Sequence, residues 1–447
     1  MCKRLLLSLA FTLVCVFFTK AQTLYFPTIS NDNTWDTVSP ASLGWCTDQI
    51  DSLYNYLDQE QTKGFLVLKD GHIVLEKYFG TFTKDSLWYW ASAGKTITAF
   101  LIGKAQEENF LSIQDSTSHY LGAGWTNCTA QQEGHITIRN QLTMTSGLDD
   151  GVPDNHCTLD TCLNYLADPA TRWAYHNAPY TLLEQVIGQA TGLSANNYTL
   201  SRLKNQTGMT GFWYMSDYDN VYFSTVRSMA RFGLLAQNHF IWNNDTLLHD
   251  TAYVNQLTNT SQNLNKAYGY LWWLNGKSSF MVPTLQTVFP GSYAPNAPAD
   301  MFSGIGKNGQ LVSISRSKGI VFVRMGEQSN SNEVPFLLAD HIWEKLNAIM
   351  CSTNSLIEQN EDESLVEVFP NPAQNAITIN VEIKSDDNLL LELYDLQGRL
   401  VLDKDYEHLS KGKHCLVLTT SDIANGSYIF MLRNKQTNIV NRIQIIH

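Results

Sequence analysis

The sequence predicts an α+β domain, in which an antiparallel sheet is flanked by helices with an all-helical region beside it, followed by a small C-terminal β-sandwich. Three observations carry this reading. Strand patterns stand at both ends of the first 350 residues while helical patterns fill the middle, a segregation that favours α+β over alternating α/β. Residues 351–364, CSTNSLIEQNEDES, are polar and acidic with few apolar positions, which marks a linker. Beyond them, over 365–447, short alternating runs such as AITINV and NLLLELY are divided by Asn, Gly and Lys turns.

The elements follow in order. Residues 1–21 carry Lys3 and Arg4, then LLLSLAFTLVCVFF, then Thr19-Lys20-Ala21, the make-up of a secretory signal peptide. The apolar run is shorter than the roughly 20 residues a spanning helix needs, and no other such run follows. The expected mature chain is therefore exported through the periplasm, to be secreted or held at the cell surface, with no transmembrane helix. From residue 22 to 350 we expect one domain. Ile50, Leu53, Tyr54 and Leu57 have helical spacing, and GFLVLKDGHIVLEKYFG alternates about Asp70-Gly71, a strong hairpin signal. A helix with Ile97, Phe100, Leu101 and Ala105 on one face comes next. ITIRNQLTMTSGL, YTLLEQVIGQATG and STVRSMARFGLLAQ form the helical middle. GYLWWL, FMVPTL, GQLVSIS and GIVFVRM read as strands before a closing helix, PFLLADHIWEKLNAIM.

Composition removes some functions. The net charge of −12 becomes −15 once the leader, with Lys3, Arg4 and Lys20 and no acid, is removed. No basic footprint for nucleic acid is present. Six cysteines remain, and in an oxidising compartment Cys157 and Cys162 in HCTLDTC make the local pair most readily closed. No CxxC or HExxH occurs, so no metal or other cofactor is expected.

Ser and Lys three apart on a helix share a face, and a buried Lys loses its proton more easily and can take one from the hydroxyl. Four such spacings occur: Ser92/Lys95, Ser201/Lys204, Ser315/Lys318 and Ser410/Lys413. Only the first combines a helix start with a burying environment, following the aromatic WYWA and preceding an apolar helix. Acyl transfer also needs a proton shuttle and oxyanion donors. Tyr175-His176-Asn177 offers a shuttle and an amide, with His176 itself expected on a loop surface near the pocket. Lys307-Asn308-Gly309 precedes the strand GQLVSIS, where Gly309 allows a substrate close to the backbone and Lys307 lends positive charge. Trp272 and Trp273 are candidates for a cleft wall, with at least one expected in the core. An α/β-hydrolase is disfavoured because no G-x-S-x-G occurs.

The ordered set Ser92-Ala-Gly-Lys95, Tyr175-His-Asn177 and Lys307-Asn-Gly309 resembles the serine β-lactamase and penicillin-binding-protein superfamily. The class C β-lactamase-like group, with its esterases, D-amino-acid peptidases and oligoamide hydrolases, is the branch most similar. The resemblance covers about residues 35 to 350. It implies that Ser92 forms an acyl-enzyme with Lys95 as base, that Tyr175 relays the proton and that Asn177 orients the substrate. It further implies that Lys307 supplies positive charge and that the Ser92 and Gln310 amides form the oxyanion hole. The substrate expected is a small molecule or peptide carrying an ester or amide. K-N-G stands where K-T-G is usual, and Gln141 and Met144 replace the branch's Leu and His, so ester turnover is expected above β-lactam turnover. The second reading is a catalytically inactive surface or peptidoglycan-binding protein that keeps the fold. VFPNPA, LYDLQGRLV and NGSYIFML resemble the type A C-terminal sorting domain of type IX secretion, which implies that machinery as a partner.

Overall fold

The computed structural model describes residues 24–30, 34–327, 334–351, 366–383, 386–395, 399–433 and 438–447. The expected leader at 1–21 and residues 352–364 of the expected linker lie outside the described residues.

Helix α1 (Ile50–Gln59) sends Leu53 and Leu57 into the core. Strands β1 (Thr62–Lys69) and β2 (His72–Tyr78) form the expected hairpin, with Asp70 and Gly71 both at positive φ, 48° and 87°. The helical middle supplies α2 (Lys95–Glu107) and α3 (Asn177–Thr191). A hairpin of β3 (Phe212–Ser216) and β4 (Asp219–Ser224) follows, then α4 (Val226–Gln237). The sheet resumes with β5 (Trp273–Leu274), β6 (Phe302–Gly306), β7 (Gln310–Ser315) and β8 (Ile320–Gly326), and α5 (Phe336–Ile349) closes the domain.

The six strands order β2-β1-β8-β7-β6-β5, antiparallel throughout. The joint between the two ends of the chain is β1 with β8, in register from Lys69↔Ile320 to Gly64↔Met325, with a shift before Thr62↔Gly326. Every residue of β7 and β8 is buried because both faces are covered. Val312 and Val321 meet α4, while Phe322 and Ser313 meet Trp343 of α5. This is the architecture the segregated pattern predicts. GYLWWL and FMVPTL yield only the two-residue strands Trp273–Leu274 and Ser279–Phe280. Tyr268, Tyr270, Trp272 and Trp273 are fully buried, and an apolar run reads the same whether its backbone is strand or irregular.

Among the described residues two disulfides form. Cys157–Cys162 closes the expected local loop, and Cys46–Cys351, 305 residues apart in sequence, joins the segment before α1 to the segment after α5. In the chain-entropy model a loop of that length removes about 6 kcal/mol of unfolded-chain entropy. Among the described residues no helix is long and apolar enough to cross a membrane. In the tail, β9 (Val366–Phe369), β10 (Ala376–Ile383) and β13 (Gly412–Thr419) make one sheet. The other contains β11 (Asp387–Asp395), β12 (Leu400–Leu409), β14 (Gly426–Arg433) and β15 (Asn438–Ile445). Ile377, Ile379, Leu391, Leu393, Phe430 and Leu432 belong to their shared core, as alternating strands in a sandwich require.

Candidate active site

Ser92 sits in a tight turn, Ala91–Gly94, that leads into α2. Ala91 is held at φ 46°, in the left-handed region a non-glycine residue enters only when its surroundings impose it. The imposition comes from Trp90, whose backbone N–H donates to Tyr222 O at 2.8 Å and whose indole donates to Ser224 Oγ at 2.8 Å. The aromatic run before Ser92 thus clamps the turn to β4. Behind it α2 is buried on all sides from Lys95 to Gly103, as its apolar composition predicts.

Lys95 is 3% exposed and donates from Nζ to Ser92 Oγ at 2.9 Å and to Asn177 Oδ1 at 2.8 Å. Its ammonium lies 4.0 Å from the Tyr180 ring centroid and 5.2 Å from that of Tyr175. Tyr175 is fixed by packing: Trp273 stacks on it at 5.7 Å and Tyr268 meets it edge-on at 6.2 Å. Trp272 and Trp273 are both core residues, and neither lines the cleft. Asn177 opens α3, whose start is braced by buried Gln141 donating to Pro179 O at 2.7 Å. The Asn177 amide nitrogen has two acceptors, Asn155 Oδ1 and His156 Nε2, each at 3.1 Å.

These side chains form the floor of a cavity of about 280 Å³. Ser92, Lys95, Tyr175, Asn177 and Lys307 all line it, so five of the seven expected site residues converge. Gly309 and Gln310 do not. Lys307–Gly309 is the turn between β6 and β7, with Asn308 at φ 61° and Gly309 at φ 75°. Gly309 packs on buried Arg324, where a Cβ would come within 2.2 Å of a guanidinium nitrogen. Arg324 donates to the Asn308 and Gly309 carbonyls at 2.7 and 2.9 Å, and burial pulls its pKa down to about 10. The Gln310 side chain pairs with the Gly326 backbone in both directions, at 2.6 and 3.1 Å. Those two residues hold the turn. The backbone that passes against Ser92 belongs to β6: a Cβ on Gly306 would stand 3.0 Å from Ser92 N and 2.4 Å from Trp90 O.

Sequence reasoning missed His156, Asp219, Asn220, Tyr180 and Tyr89, which also line the cavity. His156 Nδ1 lies 2.8 Å from Asp219 Oδ1. Asn220 donates to Glu184 of α3, whose carboxyl burial lifts well above the usual range while Lys95 pulls it down. The available signal was local: His156 adjoins Cys157, whose bridge to Cys162 pins the loop.

His176 departs from expectation. It is 2% exposed, and neither ring nitrogen has a partner among the described residues. Burial pulls its pKa down to about 4, against the opposing pull of Asp150 and Asp149. The unfolded chain therefore takes up the proton first as pH falls, and stability declines from the ordinary value near 6.5 down to about 4. Replacing His176 by Leu is expected to remove about 2–3 kcal/mol of the stability loss between pH 7.5 and 4.5, read by denaturant melts at both pH values.

Comparison with known proteins places the chain in a family. The beta-lactamase family model matches residues 55–347, and the secretion system C-terminal sorting domain matches residues 367–446. A Bacillus subtilis (strain 168) protein provisionally named penicillin-binding protein PbpX is 24% identical over 187 residues. That match takes in 38% of this chain and 46% of the relative, so the chain spans about half the length of the curated relative it matches. A solved structure from Bacteroides dorei DSM 17855, provisionally named a beta-lactamase, superposes with a TM-score of 0.54 at 18% identity, covering 69% of this chain and 99% of that one. A Bacillus anthracis structure provisionally named a 6-aminohexanoate-dimer hydrolase gives 0.54 at 18% identity over 70% and 87%. At such identities these structures establish the fold, and the match over 55–347 establishes more: the chain belongs to the beta-lactamase family and ends in a secretion-system sorting domain.

Proposed function

We propose that this chain is an exported serine hydrolase that cleaves an ester or amide through an acyl-enzyme on Ser92. The observation that carries the reading is the 2.9 Å contact between Ser92 Oγ and Lys95 Nζ on the floor of the cavity. In the deprotonated form Lys95 accepts the Ser92 proton as Oγ attacks the carbonyl. Tyr175, immobilised between Trp273 and Tyr268, relays that proton to the leaving group. Water then attacks the acyl-enzyme by the reverse route. Lys307 presents positive charge at the rim. For the oxyanion, the approach of Gly306 to Ser92 N supports the Ser92 amide together with the amide following Gly306, that of Lys307, in place of Gln310 across the ladder. Asn177 has both amide hydrogens directed at Asn155 and His156, which supports a role in holding Lys95 over the substrate contact the resemblance implies.

The leader at 1–21 delivers the chain to the periplasm, 22–350 forms the hydrolase, 351–364 the linker and 365–447 the address read by the type IX machinery. The test is a panel of p-nitrophenyl esters, nitrocefin and D-amino-acid peptides, together with mass spectrometry of the protein after a serine-reactive phosphonate. We expect one adduct on Ser92, none in Ser92→Ala, and ester turnover above nitrocefin turnover. Asn308, which stands at the usual Thr position, spends its side chain on Tyr89 Oη and Glu327. An unlabelled Ser92 with no turnover on any substrate would instead favour the inactive, binding-protein reading.

A further inference from the structure

A side-chain amide has one end that accepts and one that donates, and which end meets Lys95 matters. With Oδ1 toward Nζ, as here, a neutral Lys95 donates to Asn177 and keeps its lone pair for the Ser92 hydroxyl. With the amide reversed, an N–H of Asn177 would occupy that lone pair and Ser92 would lose its base. The orientation is set on the far side of Asn177, where Nδ2 faces Asn155 Oδ1 and His156 Nε2. His156 Nε2 accepts only when the ring proton is on Nδ1. Nδ1 faces Asp219 Oδ1 at 2.8 Å, and an ionised carboxylate has no hydrogen to give, so the proton stands there.

We propose that the Asp219–His156 pair is a positioning device that fixes the Asn177 amide and so aims the Lys95 lone pair at Ser92. The continuous path is Asp219 Oδ1, His156, Asn177, Lys95 Nζ and Ser92 Oγ, with successive contacts of 2.8, 3.1, 2.8 and 2.9 Å. His156 does no chemistry on the substrate; it acts through Asn177. Asp219 and Asn220, neighbours at the start of β4, reach His156 and Glu184 respectively, so the wall that carries this pair is itself tied to α3.

This inference rests on Ser92 and Lys95 acting as proposed above, and the test separates the two. In the full chain, His156→Ala, His156→Lys and His156→Gln are compared on a p-nitrophenyl ester, with melting curves to equalise the folded fraction. A Gln places an acceptor near the Nε2 position, a Lys places only donors there, and an Ala neither. We expect kcat to fall about 10- to 100-fold in the Ala and Lys variants at nearly constant KM, with Gln recovering all but a few-fold. Asp219→Ala should cost kcat in the wild-type background and nothing further beside His156→Gln, since Asp219 acts through the imidazole. Equal activity in Lys and Gln variants, or a rise in KM at constant kcat, overturns the proposal. If the Ala variant does not fold, the Gln–Lys pair still decides it. Full turnover in Ser92→Ala overturns the proposed nucleophile instead.

Discussion

Ser92→Ala and Lys95→Ala are each expected to lower kcat/KM for a p-nitrophenyl ester by about 10⁴-fold, and the double variant no further. The reason is geometric. Lys95 Nζ has Ser92 Oγ and Asn177 Oδ1 as neighbours at 2.9 and 2.8 Å, so the proposed base and nucleophile would work as one unit. Once either is missing the other has nothing to do, and the residual rate comes from oxyanion donors and binding. Lys95→Arg separates charge from basicity: it keeps a cation near the Tyr180 ring yet holds its proton at all working pH values, and it should be as inactive as the Ala variant. Removing Lys95 also leaves the buried Asn177 Oδ1 without this donor, at about 1–3 kcal/mol, so each rate is read beside a melting curve. Additive losses in the double variant would show that the two residues serve separate steps.

Gly306→Val should reduce kcat about 10²- to 10³-fold while leaving most of the protein folded. The added Cβ meets backbone, not a flexible side chain: Trp90 O at 2.4 Å, Ala93 N at 2.9 Å and Ser92 N at 3.0 Å. Strand β6 must then retreat from the Ala91–Gly94 turn, which would widen the proposed oxyanion site. Gly309→Ala is the informative contrast. Its Cβ meets Arg324 and Leu338, away from the cavity, so the loss should fall mainly on stability. The measurement is kcat per active site, counted by phosphonate labelling. A fully active Gly306→Val would show that β6 does not border the oxyanion.

The fold was legible because its signals are periodic. The Asp70-Gly71 hairpin follows from alternation, the apolar face of α2 from helical spacing, and β7 and β8 from short buried runs bounded by turns. The contact between Ser92 and Lys95, proposed as nucleophile and base, was legible because a spacing of three on a helical turn brings the two side chains together. The strand facing Ser92 was harder: Lys307-Asn308-Gly309 matched a motif by letter, yet it is a turn, and the close approach is made by Gly306 one residue earlier. Spacing does not say which of two neighbouring glycines meets a distant backbone. His156 and Asp219 were invisible for a related reason. They lie 63 residues apart on a loop and a hairpin, and only tertiary packing joins them. His176 was misplaced because a His between two pocket residues looks exposed, whereas the turn before α3 points it inward.

The Cys46–Cys351 bridge bears on how the chain withstands handling at its C-terminal end. Cys351 stands two residues beyond α5, at the end of the segment that the bridge closes. A pull along the chain at Cys351 would meet a covalent junction with residue 46 before it could peel α5 turn by turn from the sheet. Proteolytic release of the tail anywhere beyond Cys351 likewise leaves the segments before α1 and after α5 clasped together. The bridge thus keeps the two ends of the domain joined to each other independently of the tail.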